Sequence, residues 1–161
     1  KAIRRQRQMC IRDRLFDVKL CNKGAAVFTK ALFDTGNLLS DGFSDTPVII
    51  AERSVVKKLV PEGIFSFIDG EAALPINADD GSIRLIPAGT VGGESILRAV
   101  LIDSVTVIGK KEAREVKNVI LAESKTPFSS GDYSVLLGPK IFEIREGNQK
   151  NERAKKTAGK D

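Results

Sequence analysis

One short stretch of the sequence combines a carboxylate with surroundings in which a carboxylate is costly. The apolar run Ala31-Leu32-Phe33 predicts a buried strand, and it ends directly in Asp34-Thr35-Gly36 before the chain turns apolar again. A carboxylate at the mouth of a buried strand needs hydrogen bonds or a partner. Gly36 permits a tight turn and a close approach, and the Thr35 hydroxyl can lock the loop. We therefore interpret Asp34 as the candidate catalytic group, although Asp and Gly are also common in ordinary turns.

The composition argues against several other kinds of site. The chain has no histidine, so a serine or cysteine nucleophile would lack its usual base and a metal site its commonest ligand. The glycines of the stretch Ala88–Glu94 have no following helix and no Lys-Ser or Lys-Thr pair, unlike a phosphate-binding loop. Neither a metal nor another cofactor is expected. Seven further aspartates stand in polar, turn-like sequence and are expected at the surface: Asp41, Asp45, Asp69, Asp79, Asp80, Asp103 and Asp132.

The net charge of +5 is divided unevenly along the 161 residues. Residues 1–14 carry six basic side chains and one acidic one, and residues 148–161 carry five and two, so the ends hold +8 and residues 15–147 hold −3. A nucleic-acid-binding protein concentrates basic residues on a folded face, so no nucleic-acid partner is expected. We divide the chain into a basic extension (1–14, disordered or next to a membrane), one folded domain (15–147) and a charged disordered tail (148–161).

The cysteines and the lengths of the apolar runs indicate the cellular compartment of the protein. Cys10 and Cys21 lie in unlike contexts and do not make a disulfide framework. The sequence has no run of 18 apolar residues and no signal-peptide pattern at its start. A reduced, intracellular compartment is expected.

The order of predicted elements indicates an all-β fold with one or two short helices. Strands are predicted at 15–20, 26–33, 48–51, 82–87, 95–102, 105–108, 117–122 and 133–138, and one helix at 52–60. Apolar residues between Gly63 and Pro75 give no clear element, because Gly70 and Pro75 interrupt them. A glycine-rich turn is predicted at 88–94, and the last strand ends in Leu136-Leu137-Gly138.

In this order, the sequence resembles a retropepsin-type aspartic protease subunit from about Phe16 to Phe142. The resemblance implies a half-barrel that dimerises, with Asp34 as the catalytic residue in a loop supported by Thr35, Gly36 and Asn37. It also implies a flap that covers the substrate, at Thr90, Val91, Gly92 and Gly93. An element that wraps the catalytic loop is implied at Leu136, Leu137 and Gly138.

A closer resemblance is to the peptidase domain of the sporulation sigma-E factor-processing peptidases (stage II sporulation protein GA). It is carried by the stretches 31–39 and 46–52, by Ile83-Arg84-Leu85-Ile86-Pro87 and by Thr90-Val91-Gly92-Gly93. Ala88 departs from the larger residue expected after Pro87. The resemblance implies a sigma-factor precursor as substrate and a sporulation signalling protein as a possible activator. It also implies an N-terminal membrane domain missing from this chain, which would place the full-length protein at the cytoplasmic face of the membrane.

Hydrolysis of this kind uses two carboxylates that share one proton, because two like charges about 3 Å apart cannot both ionise. One carboxylate takes a proton from water and the other supports the scissile carbonyl. The chain has one Asp-Thr-Gly, so an aspartic protease built from it must be a homodimer in which Asp34 meets its own copy. The alternative is a dimerisation or peptide-binding module of the same fold with little or no proteolytic activity.

Overall fold

The computed structural model describes residues 14–73, 81–90, 92–128 and 130–143. The predicted basic extension, apart from Arg14, and the predicted charged tail lie outside these residues. Within them, the elements in chain order are β1 (Leu15–Asn22), β2 (Ala25–Phe33), β3 (Val48–Ala51), α1 (Arg53–Leu59), α2 (Glu62–Asp69), β4 (Ile83–Thr90), β5 (Gly93–Ile108), β6 (Ala113–Glu123), β7 (Val135–Leu137) and α3 (Lys140–Glu143). The prediction of a mainly β fold with few short helices is confirmed.

The strands form one sheet that closes on itself. Their order is β1-β2-β7-β3-β6-β5-β4, and β1 also pairs with β5, so six strands make a barrel and β4 extends from it as an arm. β5 is long enough, at 16 residues, to pair with β4 through its first half and with β6 and β1 through its second. Closure leaves the six barrel strands without the unpaired edges that would otherwise be open to other chains.

Two parallel pairings determine where the strands end. β2 runs parallel to β7, with Phe33 opposite Leu137, and β3 runs parallel to β6, with Ala51 opposite Glu123. Between these pairs, β3 and β7 are antiparallel, with Ala51 opposite Val135. The ends of β2 and β7 therefore meet at one end of the sheet, and the ends of β3 and β6 meet at the other.

Aliphatic side chains fill two cores. The larger lies between the barrel strands and the helices α1 and α2, with fully buried Leu20, Val56, Val105 and Leu137 among its members. The smaller contains Val48, Ile86, Ala99, Ile120 and Ala122, and Leu39 and Leu97 pack against it. The smaller core thus joins the β4–β5 hairpin to the chain that follows Asp34.

The structure corrects three predicted elements. The strands predicted at 95–102 and 105–108 are one strand, because Ile102 and Ser104 both pair with β6, on either side of Asp103. The turn predicted at 88–94 is too long, since residues 88–90 belong to β4, residues 93–94 belong to β5, and Thr90 pairs with Gly93. Helix α2 (Glu62–Asp69) covers the first part of the stretch for which no clear element is predicted, and its Phe65 and Ile68 face the core.

Helix α2 was missed although its apolar residues have helical spacing. Gly70, with φ of 88°, ends the helix as a left-handed cap rather than interrupting it. Glycine is the residue best suited to that conformation.

Candidate active site

Asp34 lies at the end of β2 in a short, hydrogen-bonded loop. Its backbone N–H donates to the Leu137 carbonyl (2.8 Å), which extends the β2–β7 pairing by one bond. Its Oδ1 accepts the Gly36 N–H (2.9 Å), and its carbonyl accepts the Asn37 N–H (3.2 Å). The Asp34 side chain is half-buried, whereas Thr35 and Gly36 are exposed. The loop therefore fixes a carboxylate at the surface end of a core strand and presents the next two residues to solvent.

Asn37 ties the loop to the rest of the barrel. It is buried, with 6% of its surface exposed. Its Nδ2 donates to the Val48 carbonyl at the start of β3 (3.2 Å), and its Oδ1 accepts the Leu39 N–H (3.4 Å). A buried amide that satisfies two backbone groups fixes the position of both chain segments.

Gly138 lies directly against the loop. A Cβ at this position would lie less than 3.0 Å from the Asn37 carbonyl oxygen, a separation that real Cβ atoms essentially never show. It would also lie 3.3 Å from the Asn37 carbonyl carbon. Only glycine allows this approach of the two backbones. The structure thus brings Leu137 and Gly138 into contact with the candidate catalytic loop. The loop-wrapping role of residues 136–138 remains a functional prediction.

The predicted flap is the β4–β5 hairpin. Gly92 and Gly93 are exposed, Gly93 has φ of 129°, and Val91 lies outside the described residues. The smaller core connects the hairpin to the catalytic loop, since Ile86 and Leu97 share it with Leu39. The covering of a substrate by residues 90–93 remains a prediction.

Within the described chain, no second carboxylate forms a hydrogen bond or ion pair with Asp34. The Thr35 hydroxyl likewise has no hydrogen-bond partner there. The described residues also contain no group of three or more His, Cys, Asp or Glu placed to hold a metal ion. As a single chain, the site offers one fixed carboxylate and one free hydroxyl, both at the surface.

Two aspartates predicted at the surface are largely buried. The Asp41 side chain is 11% exposed, and its carboxylate accepts the Phe43 N–H (3.1 Å) and the Ser44 hydroxyl (2.9 Å). These two bonds, and then the charge of Arg84, hold the pKa of Asp41 below its ordinary value. The Asp69 side chain is 9% exposed and paired with Arg53, whose hydrogen bond lowers the pKa of Asp69. Asp45, Asp103 and Asp132 are exposed as predicted, and Asp79 and Asp80 lie outside the described residues.

The sequence analysis overlooked Glu123. This residue ends β6, is 5% exposed, and its Oε2 is buried without a hydrogen-bond partner. Burial, and then the nearby charge of Asp69, raise the pKa of Glu123. The sequence around Glu123 resembles the sequence around Asp34, because in both places an apolar run that forms a buried strand is followed directly by a carboxylate. Glu123 and Asp69 line a cavity of about 430 Å³ at the opposite end of β3 and β6 from the catalytic loop.

A comparison with known protein families shows to which family the chain belongs. The family model of the sporulation factor SpoIIGA peptidases matches residues 2–141. The chain belongs to this family. The match includes the Asp34 loop, the β4–β5 hairpin and the Gly138 segment, so the features described above lie within the matched residues.

Two relatives are similar over most of the chain. The sporulation sigma-E factor-processing peptidase of Priestia megaterium is 28% identical over 141 residues, which are 83% of this chain and 46% of the relative. A protein of Bacillus thuringiensis subsp. kurstaki, described as a sporulation sigma factor-processing peptidase, is 29% identical over 137 residues, which are 81% of this chain and 85% of the relative. The chain thus spans about half the length of the Priestia protein. In the described residues, no helix has the length and apolar character needed to cross a bilayer.

Proposed function

We propose that the protein is an aspartic endopeptidase, active as a homodimer, that removes the pro-segment of a sporulation sigma-factor precursor. The observation that carries this proposal is the single fixed carboxylate of Asp34, followed by two exposed residues. The names of the two relatives support the substrate class. The mainly β barrel and the glycine contact at its catalytic loop favour a retropepsin-like subunit.

Dimerisation supplies the second carboxylate. Asp34 of each copy lies on the two-fold axis, and the pair shares one proton because two adjacent carboxylates cannot both be charged. The ionised member removes a proton from the attacking water, and the protonated member donates to the scissile carbonyl.

The neighbouring residues have supporting roles in this mechanism. The exposed Thr35 hydroxyl bonds across the two-fold axis, and Gly36 allows the two loops to approach. Asn37 and Gly138 hold each loop against its own barrel, so that the distance between the carboxylates is fixed. The hairpin tip at residues 90–93 closes over the substrate and excludes bulk water.

The same proposal covers the membrane domain, the activating partner and the cofactor requirement. A preceding membrane domain holds the full-length protein at the cytoplasmic face of the membrane. A sporulation signalling protein promotes formation of the active dimer. The reaction needs no metal or other cofactor.

Replacement of Asp34 tests the proposal. Asp34→Asn keeps the size and the hydrogen bond from Gly36 but removes the charge, and we expect cleavage of the precursor to fall by about a hundred- to ten-thousandfold. Asp132→Asn is the matched control, because Asp132 is an exposed aspartate far along the chain from the loop. Undiminished cleavage by Asp34→Asn would refute the mechanism, whereas absence of cleavage by the parent protein would favour the binding-module alternative. Light scattering at several protein concentrations tests for the dimer.

A further inference from the structure

The cavity of about 430 Å³ at the end of β3 and β6 lies away from the candidate catalytic loop. α1 contributes Arg53 and Lys57 to its lining, α2 contributes Asp69, and the end of β6 and the chain after it contribute Glu123 and Lys125. Its volume lies within the range of small-molecule sites. Charged side chains from three parts of the fold therefore converge on one space of suitable size.

One carboxylate oxygen in this lining has no hydrogen-bond donor. Glu123 is 5% exposed, and its Oε2 is buried without a hydrogen-bond partner. Across the described chain it is the one buried side-chain nitrogen or oxygen atom in this condition. A buried carboxylate without donors is costly, above all when it is ionised. The cavity beside Glu123 leaves room for a donor that the described residues do not supply.

The two cations nearest to this carboxylate already have other partners. Arg53 pairs with Asp69, and its second terminal nitrogen lies 3.6 Å from Glu71. The Lys125 ammonium group donates to the Asp69 carbonyl (3.1 Å) at the end of α2. Neither cation donates to Glu123 Oε2. The missing donor is therefore expected from a bound molecule.

The wall of the cavity is held in place before any ligand binds. The Ser124 N–H donates to the Ala51 carbonyl (2.8 Å), and the Ser124 hydroxyl donates to the Thr126 carbonyl (2.6 Å). The Glu52 carboxylate accepts the Phe128 N–H (2.8 Å). These bonds fix the chain after β6 against the start of α1, and a site that is already formed loses less entropy on binding.

The charges around Glu123 favour a cationic ligand. Burial, and then the charge of Asp69, raise the pKa of Glu123 although Lys125 and Arg53 oppose the shift. The raised pKa means that the surroundings compensate the negative charge of the carboxylate incompletely. A primary ammonium group supplies a compact positive charge together with N–H donors. A metal ion fits less well, since the described part of the chain contains no group of three or more His, Cys, Asp or Glu placed to hold one.

We propose that this cavity binds a primary alkylammonium group, which donates a hydrogen bond to Glu123 Oε2. Two sources carry this chemistry, a free amine and the lysine side chain of a polypeptide. The site lies apart from Asp34, so the inference does not depend on the proposed function.

An NMR titration of the isotope-labelled protein with n-butylammonium chloride tests the proposal. We expect saturable shifts of the amide signals of residues 123–127, and a Kd that rises by about 10- to 100-fold in Glu123→Gln, because a hydrogen bond between two charged groups is lost. Glu115→Gln is the matched control, since Glu115 is an exposed glutamate on the same strand, and it should bind like the parent protein. n-Butyltrimethylammonium chloride has the same charge but no N–H, and it should bind at least about tenfold more weakly.

The pH dependence separates binding at Glu123 from a general attraction of cations. The ammonium group binds the ionised carboxylate, so the Kd should fall as pH rises from 4.5 through the folded pKa, by up to about tenfold per pH unit, and then level off. The pKa of Asp69 is lowered, so Asp69 stays ionised over this range. Glu123→Gln should lack this dependence although it keeps the other charged groups of the cavity, which are Glu52, Arg53, Lys57, Asp69 and Lys125.

A blocked lysine distinguishes the two sources of the ammonium group. If Nα-acetyl-lysine N-methylamide binds at least as tightly as n-butylammonium, the cavity accepts a lysine side chain of a polypeptide. If it binds more weakly, the ligand is a free amine. Absence of saturable shifts at residues 123–127 in the parent protein, or an unchanged Kd in Glu123→Gln, would overturn the inference and leave water as the donor to Glu123.

Discussion

Replacement of Gly138 by alanine should disturb the candidate catalytic loop more than its single added methyl group suggests. The new Cβ would overlap the Asn37 carbonyl oxygen and lie at 3.3 Å and 3.4 Å from two further Asn37 atoms. Restoring ordinary contact distances requires the two segments to separate by roughly 1 Å. The obstacle is backbone on both sides, and Asn37 is buried and bonded to Val48, so rotation of a side chain cannot relieve it.

Overlap of this kind typically costs about 1–3 kcal/mol of unfolding free energy. The effect on cleavage should be larger than stability alone indicates, because a displacement of about 1 Å in a catalytic group can cost roughly a hundredfold in rate. We therefore expect Gly138→Ala to fold, with a lower denaturation midpoint, and to cleave the precursor about a hundredfold more slowly. Urea denaturation followed by circular dichroism gives the first quantity, and cleavage of the precursor under conditions where the variant is folded gives the second.

Gly89→Ala is the matched control for stability. Gly89 lies in β4, does not have a positive φ, and a Cβ there would meet nothing within 4 Å. Alanine at this position should leave the denaturation midpoint unchanged or slightly raise it, because glycine weakens a strand interior. Equal midpoints for Gly138→Ala and Gly89→Ala would refute the close contact between β7 and the catalytic loop.

Three further predictions concern other residues. Because the pKa of Glu123 is raised in the folded protein, stability should fall as pH rises from the ordinary pKa of 4.5 through the folded pKa; Glu123→Gln, which cannot ionise, should remove this fall in denaturation measured from pH 4 to 8. The lowered pKa of Asp69 acts in the opposite sense, so Asp69→Asn should remove part of the loss of stability that the parent shows as pH falls below 3.8. Asn37→Ala leaves the Val48 carbonyl and the Leu39 N–H without their partner and should cost about 1–3 kcal/mol of unfolding free energy, measured by urea denaturation.

Each of these predictions has an outcome that contradicts it. A stability profile of Glu123→Gln that still falls between pH 4 and 8 like the parent's would show that Glu123 is not the group responsible. An Asp69→Asn variant as sensitive to acid as the parent would show that its pairing with Arg53 does not stabilise the fold. An Asn37→Ala midpoint equal to that of Gly89→Ala would mean that water replaces the Asn37 amide at no cost.

Local sequence was enough to predict the turn at Asp34 and most strands. The Asp34 loop is recognisable because an apolar strand ends abruptly in a carboxylate, and the same contrast of polarity marks the strands β1, β3 and β7. The helix at Arg53–Leu59 was also predicted, since Val55, Val56 and Leu59 share one face and Pro61 follows them.

The remaining features depend on tertiary contacts that sequence spacing does not reveal. β5 continues past Asp103 because Ile102 and Ser104 both pair with β6, a partner strand that the local sequence does not reveal. The burial of Asp69 follows from helix α2 and from Arg53, and the sequence alone does not predict α2 because a glycine such as Gly70 can either break a helix or cap it. Glu123 ends an apolar strand as Asp34 does, but its proximity to Asp69 becomes visible only when α2 packs beside β6.

The central claim is that two copies of Asp34 form one active site, and mixing of subunits tests it most directly. Parent and Asp34→Asn proteins are mixed at a fixed total concentration, allowed to exchange subunits, and assayed for cleavage of the sigma-factor precursor. If both carboxylates are required, activity follows the square of the parental fraction, and an equal mixture retains about a quarter of the parental rate. A linear decline, with about half of the rate in an equal mixture, would contradict the shared site.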